Sequence, residues 1–125
     1  MGYTNYWNQK QSFTNGEWDI SKDEVNKIIK PFENNLDIED DDENVIFLNG
    51  VGHNSHETFV FTKEKRSLHE WESEETFNKD GAFGFCKTNR KPYDLIVWNI
   101  LLKAHKIAPK KISVRNDDGV VFTSA

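Results

Sequence analysis

Val45-Ile46-Phe47-Leu48-Asn49-Gly50-Val51-Gly52-His53-Asn54-Ser55-His56-Glu57-Thr58-Phe59-Val60-Phe61-Thr62 holds two strand patterns around a polar loop. Val45–Leu48 is a short apolar run. Glu57–Thr62 alternates, with Thr58, Val60 and Thr62 opposite Glu57, Phe59 and Phe61, which is the side-chain period of a strand. The loop between them carries Gly50 and Gly52, as a hairpin connection does. Ala82–Lys87 reads as a third strand of the same group. These three are expected to be antiparallel neighbours, with Trp98 and Leu101 of the following helix packed on one face.

Working outward, Tyr3–Asn8 alternates as a strand, and Ser12–Asp19 reads as a turn or hairpin arm through Asn15-Gly16. Ser21 with Glu24 makes a capping box, and Val25, Ile28, Ile29 and Phe32 follow at helical spacing. A first helix is expected over about Lys22–Asn34, kinked or stopped early by Pro31. The acidic run Asp37–Glu43 reads as a connector loop. Lys63–Asp80 reads as an excursion anchored by Leu68 and Trp71. Pro92 suits the first turn of a second helix, apolar on most sides from Leu95 to Ile107. Lys111–Arg115 and Val120–Thr123 flank the turn Asn116–Gly119. The order β-α-β-β-β-α-β-β, with so many hairpin-like links, predicts an α+β class and a mostly antiparallel sheet.

The 125 residues suit one domain, 1–125. Sixteen Lys and Arg against 21 Asp and Glu leave a net charge of −5, which argues against bulk, sequence-blind DNA binding. Aromatic residues make up 13 %, more than a disordered chain carries, so the chain is expected to fold. The longest apolar run is far below the ~18 residues of a membrane span. No secretory leader pattern opens the chain. One Cys forms no internal disulfide and excludes Cys-rich zinc folds, which points to a reducing cytoplasm. The sequence is compatible with a homo-oligomer.

Three stretches could carry chemistry. Lys87, Thr88, Arg90, Lys91 and Tyr93 precede a helix N-terminus, where unpaired amides and the helix dipole favour an anion. The plainer reading is a helix cap among surface cations. Asn49, Gly50, Gly52, His53, Ser55 and His56 form a glycine loop with short polar arms. It lacks the third Gly of a dinucleotide fingerprint and the Gly-Lys-Ser/Thr of a phosphate loop. Tyr6 and Trp7 either fill the core or stack on a base. A metal reading through His53, His56 and Glu57 needs a further ligand from Asp94 or Cys86. A catalytic reading would make Cys86 a nucleophile, with His53 or His56 as base and Asp94 as orienter. Against it, Cys86 sits in an apolar strand, where an inert thiol is commoner.

Gly2-Tyr3-Thr4-Asn5-Tyr6-Trp7, the loop Asn49–Gly52 with His56-Glu57-Thr58-Phe59, and Phe85–Asp94 together resemble a family of small proteins from phages, prophages, bacteria and large DNA viruses. Its members open with a GYT-x-YW signature in which x is often His; here it is Asn5. The resemblance spans nearly the whole chain. It implies that the three stretches form one site and suggests a counter-defence or host-interaction role, and it brings no catalytic residues with it.

The sequence thus points to a non-catalytic protein that captures a small anionic, nucleotide-like ligand in a pocket. No cofactor or metal is expected. Lys87, Arg90 and Lys91 would meet phosphate, the Gly50–Gly52 loop would face them across a cleft, and Tyr6 or Trp7 would stack on a base. Two alternatives stay open: a small Cys/His hydrolase acting on a phosphate- or acyl-bearing substrate, and an acidic protein–protein inhibitor.

Overall fold

The computed structural model describes residues 2–124. The chain runs through β1 (Thr4–Gln9), α1 (Asn15–Ile29), a 3-10 segment (Lys30–Asn35), β2 (Leu36–Glu39) and β3 (Val45–Gly50). A 3-10 turn (Gly52–Asn54), β4 (Phe59–Thr62), α2 (Glu74–Asp80), β5 (Ala82–Lys87), α3 (Asp94–Ile107), β6 (Ile112–Asn116) and β7 (Val121–Phe122) follow. The strands form two antiparallel sheets, β5-β1-β6-β7 and β2-β3-β4, so the fold is α+β. No helix among the described residues is long and apolar enough to cross a membrane.

β3 and β4 pair as expected, but β5 does not join them. It pairs with β1 along its whole length, Thr4 opposite Lys87 and Gln9 opposite Ala82. Alternation reveals a strand and not its partner. One main-chain bond links the two sheets here, from the Glu57 amide to the Lys87 carbonyl at 3.2 Å. β1 also holds the start of the excursion: Gln9 Nε2 donates to the carbonyls of Thr62 and Lys63 at 3.3 and 3.1 Å. The excursion is not anchored by Leu68 and Trp71, which are exposed, Trp71 at 77 %. The Arg66–Glu72 ion pair at 2.6 Å and the Arg66 bond to the Phe83 carbonyl hold it instead. It also contains α2, capped by Ser73.

α1 begins six residues before the expected capping box. Thr14 caps it, accepting from the Glu17 amide while Glu17 accepts from the Thr14 amide. Ser21 lies inside the helix, and its hydroxyl donates to the Glu17 carbonyl. Trp18, Ser21, Val25 and Ile29 form the buried stripe. Trp18 makes the early start worthwhile, because its ring is buried and its Nε1–H donates to the Glu43 carbonyl at 2.8 Å. Pro31 stops the helix early, in the 3-10 segment, and leaves Phe32 exposed. The acidic run is partly strand: Leu36–Glu39 pairs with β3. Its charges line a free sheet edge, where they discourage a further strand from pairing.

α3 buries Ile96, Val97, Ile100, Leu101 and Ala104 on one stripe, with Trp98 partly packed beside them. Leu95 is 70 % exposed, so the helix is amphipathic despite its composition. α1 packs against α3, and Lys103 reaches Glu24 at 3.7 Å. The core joins both sheets to these helices. Trp7 sits in it edge-on to Phe59 and Phe61, with ring centroids 5.4 and 5.8 Å away.

Candidate functional site

The three stretches with chemistry in them do meet, at the junction between the sheets. The Asn5 amide donates to Asp94 Oδ1 at 2.7 Å, and the Thr88 hydroxyl donates to the same oxygen. Asn5 and Thr88 are fully buried, and Asn5 Oδ1 has no hydrogen-bond partner. The Glu57 carbonyl accepts from the buried Tyr93 hydroxyl at 2.5 Å and from the Cys86 thiol at 3.4 Å. Glu57 Oε1 accepts from the Lys87 amide, and His56 Nδ1 donates to the Lys87 carbonyl at 2.6 Å. Residues from four segments thus bond one another's buried polar groups, Asn5 Oδ1 excepted.

The glycine loop is likewise self-contained. Asn49 donates to the His56 carbonyl and to Thr58 Oγ1, and accepts from the amides of Gly50 and His56. The Ser55 hydroxyl donates to the Gly52 carbonyl. A Cβ on Gly50 would stand 2.1 Å from the Asn54 carbonyl oxygen, so only glycine closes this turn. The open hollow beside the loop, about 400 Å³, is lined by Leu36, Asp37, Asn49, Val51 and Ser55 besides its glycines. Its charged lining group is acidic, and Lys87, Arg90 and Lys91 are not among its walls. The expected cleft between cations and loop is therefore not formed there. Arg90 lies over the Tyr3 ring at 4.1 Å and pairs with Asp118 at 3.1 Å. Asp118 is held below the usual carboxylate range by Arg90 and then Tyr3. Burial first, and the bond to Asp118 next, push the Tyr3 phenol up to about 12.

Trp7 is a core residue, leaving Tyr6 as the ring of that pair that reaches the outer face. Cys86 is sealed from solvent. Burial, with the Glu57 carboxylate second, pushes its thiol up to about 12, which keeps it protonated near neutral pH. His53 and His56 are exposed, and His56 Nδ1 is bonded to the Lys87 carbonyl. Among the described residues no three His, Cys, Asp or Glu side chains converge as metal ligands.

A different surface has the features of a binding site. On β1, β5 and β6 the inward positions are Asn5, Trp7 and Gln9; Ala82 and Cys86; Ile112 and Val114, all buried. The opposite face presents Tyr6 and Asn8, Phe83, Phe85 and Lys87, and Ser113 and Arg115. Phe83 and Phe85 are 37 % and 45 % exposed. Tyr6 stacks on Phe83 at 6.1 Å and Phe83 on Phe85 at 5.8 Å. Arg115 lies 4.2 Å over Tyr6, and Lys87 5.7 Å from the Phe85 centroid. Phe83 and Asn8 form a shared wall between two hollows. One, about 470 Å³, is lined also by Lys10, Asp80, Ser113, Arg115 and Val121. The other, about 250 Å³, is lined also by Trp71, Thr76, Phe77 and Glu72, whose carboxylate is paired with Arg66. Lys65 sits 4.3 Å over the Phe77 ring. Among the described residues Lys10, Lys65, Lys87 and Arg115 make no ion pair. Asp117 closes one end, accepting from the Tyr6 hydroxyl at 2.8 Å.

Sequence reasoning missed Phe83, Phe85, Arg115, Lys10 and Trp71. The signal was there in β5: small Ala82, Gly84 and Cys86 alternate with Phe83, Phe85 and Lys87, so the large rings face away from the core side. No family model, curated protein or solved structure matches the chain.

Proposed function

We propose that the outer face of the β5-β1-β6-β7 sheet binds a nucleotide-like ligand, an aromatic ring bearing phosphate, without converting it. The observation behind this is the run of stacked, exposed rings Tyr6, Phe83 and Phe85 with the unpaired cations Arg115 and Lys87 laid against them. Exposed aromatic rings give a base a stacking platform, about 1–3 kcal/mol per base. Arg and Lys beside them supply charge-assisted bonds to phosphate. In a chain of net charge −5, four cations without carboxylate partners around one face favour an anion there. The reading keeps the ligand class expected from the sequence, with Tyr6 and Lys87 as shared contacts, and moves the site off the helix N-terminus. The resemblance to phage and large-DNA-virus proteins suggests that such a module serves in contact with a host.

Titration with AMP at low salt, followed by amide chemical shifts, tests this. Shifts confined to β1, β5 and β6 are expected, weakened by Phe83→Ala or Arg115→Ala in variants whose circular dichroism is unchanged. Absence of shifts at millimolar AMP, or shifts centred on Gly50–Gly52, would sink the proposal.

A further inference from the structure

Resting on that reading, we infer that the natural occupant of the sheet face is a single-stranded nucleic acid spanning more than one nucleotide. Three features carry this beyond a mononucleotide. The rings are plural and serial: Phe85, Phe83 and Tyr6 follow one another at about 6 Å with Phe83 in the middle, and Trp71 shares the smaller hollow with Phe83. The two hollows adjoin, with Phe83 and Asn8 as their common wall, so a chain with one base in each would pass over the Phe83 ring. A single small ligand would leave one of them unused.

The cations are distributed to match. Lys87 lies at the Phe85 end of the ring series, Arg115 over Tyr6 at the other end, Lys10 in the larger hollow and Lys65 over Phe77 of the smaller one. Charges spaced along the series suit successive phosphates of a strand. The platform is a sheet surface of exposed rings. Such surfaces read unstacked bases and leave duplexes alone, since paired bases hide their faces. Few cations and a net negative chain also fit stacking-led binding with a shallow dependence on salt. Asn8 and Ser113, beside Phe83 in the larger hollow, offer hydrogen bonds to base edges.

Fluorescence anisotropy with labelled oligothymidylate and oligouridylate of about eight nucleotides, against thymidine monophosphate and a duplex of equal length as competitors, tests the inference. The oligomer is expected to bind about tenfold or more tighter than the monophosphate, with the duplex failing to compete. Phe83→Ala and Trp71→Ala should each weaken it about tenfold, and Arg90→Ala should not. Equal affinity for monophosphate and oligomer overturns the strand and leaves the nucleotide reading standing; binding of neither overturns both. A concentration-dependent dimer that Phe83→Asp dissolves, without oligomer binding, would instead assign the face to a second copy of this chain. Oligomer binding insensitive to both ring variants would place the strand elsewhere and overturn the inference.

Discussion

The indole of Trp7 lies so close to the Gly84 backbone that a Cβ at position 84 would stand 2.4 Å from Cε2. The two residues are register partners across β1 and β5. The contact fixes how the inner face of the four-stranded sheet is filled, because Trp7 in turn meets Phe59 and Phe61 of the other sheet. Gly84→Ala is predicted to cost about 1–3 kcal/mol, the range for overpacking. Urea unfolding measures it; a variant as stable as the parent would mean the indole has room to move.

Cys86 is predicted to be inert toward Ellman's reagent in the native protein and to react only on unfolding. Its folded pKa is raised from 9.0 to about 12, by burial first. A raised pKa gives stability that is whole below pH 9 and is lost as pH rises from 9 toward 12. Cys86→Ser should remove that alkaline slope. It should also lower stability by about 1–3 kcal/mol at neutral pH by burying a more polar group. Rapid modification of folded protein at pH 8 would contradict the sealed geometry.

Glu72 receives two bonds from Arg66 and one from the His69 amide. These hold its carboxyl at about 2 instead of 4.5. The sign for a depressed acid is stability present above pH 4.5 and lost as pH falls toward 2. Thermal midpoints measured between pH 5 and 2 should therefore fall less steeply in Glu72→Gln than in the parent. Parallel curves would show that the pair is dispensable to the excursion before α2.

Arg90 and Arg115 are predicted to separate stability from binding. Arg90 is spent on Tyr3 and Asp118, an exposed pair, so Arg90→Ala should cost only about 0–1 kcal/mol and leave AMP affinity unchanged. Arg115→Ala should weaken AMP by about 1.5–3 kcal/mol, the range for a charged contact. Calorimetric titration of both variants checks it, and the reverse ranking would return the site to the α3 N-terminus.

Much of the architecture was legible in local patterns. The α+β class, the strands around the glycine loop, α3 and the β6–β7 turn all carry short-range signals in alternation, helical period or turn residues. Partnership carried none: β5 alternates in the same way beside β1 as it would beside β4, and the choice rests on the distant Trp7–Gly84 fit. α1 was placed late because Ser21 and Glu24 satisfy the capping pattern as well as Thr14 and Glu17 do, and the buried Trp18 decides between them. At the site, cations near a helix start looked free. Arg90 is paired: its partners Tyr3 and Asp118 lie 87 residues before and 28 after it, beyond the reach of spacing. The parity of β5, by contrast, was readable and marks Phe83 and Phe85 as outward.

β1 lies between β5 and β6, strands that come from the last third of the chain. On the ribosome the first strand emerges with nothing to pair with until residues 82–116 follow. The β2-β3-β4 sheet has local partners and gains order earlier. Pairings across such sequence distances close slowly. The synthesis order therefore leaves Tyr3–Gln9, with its aromatic and polar side chains, as a waiting segment for most of translation.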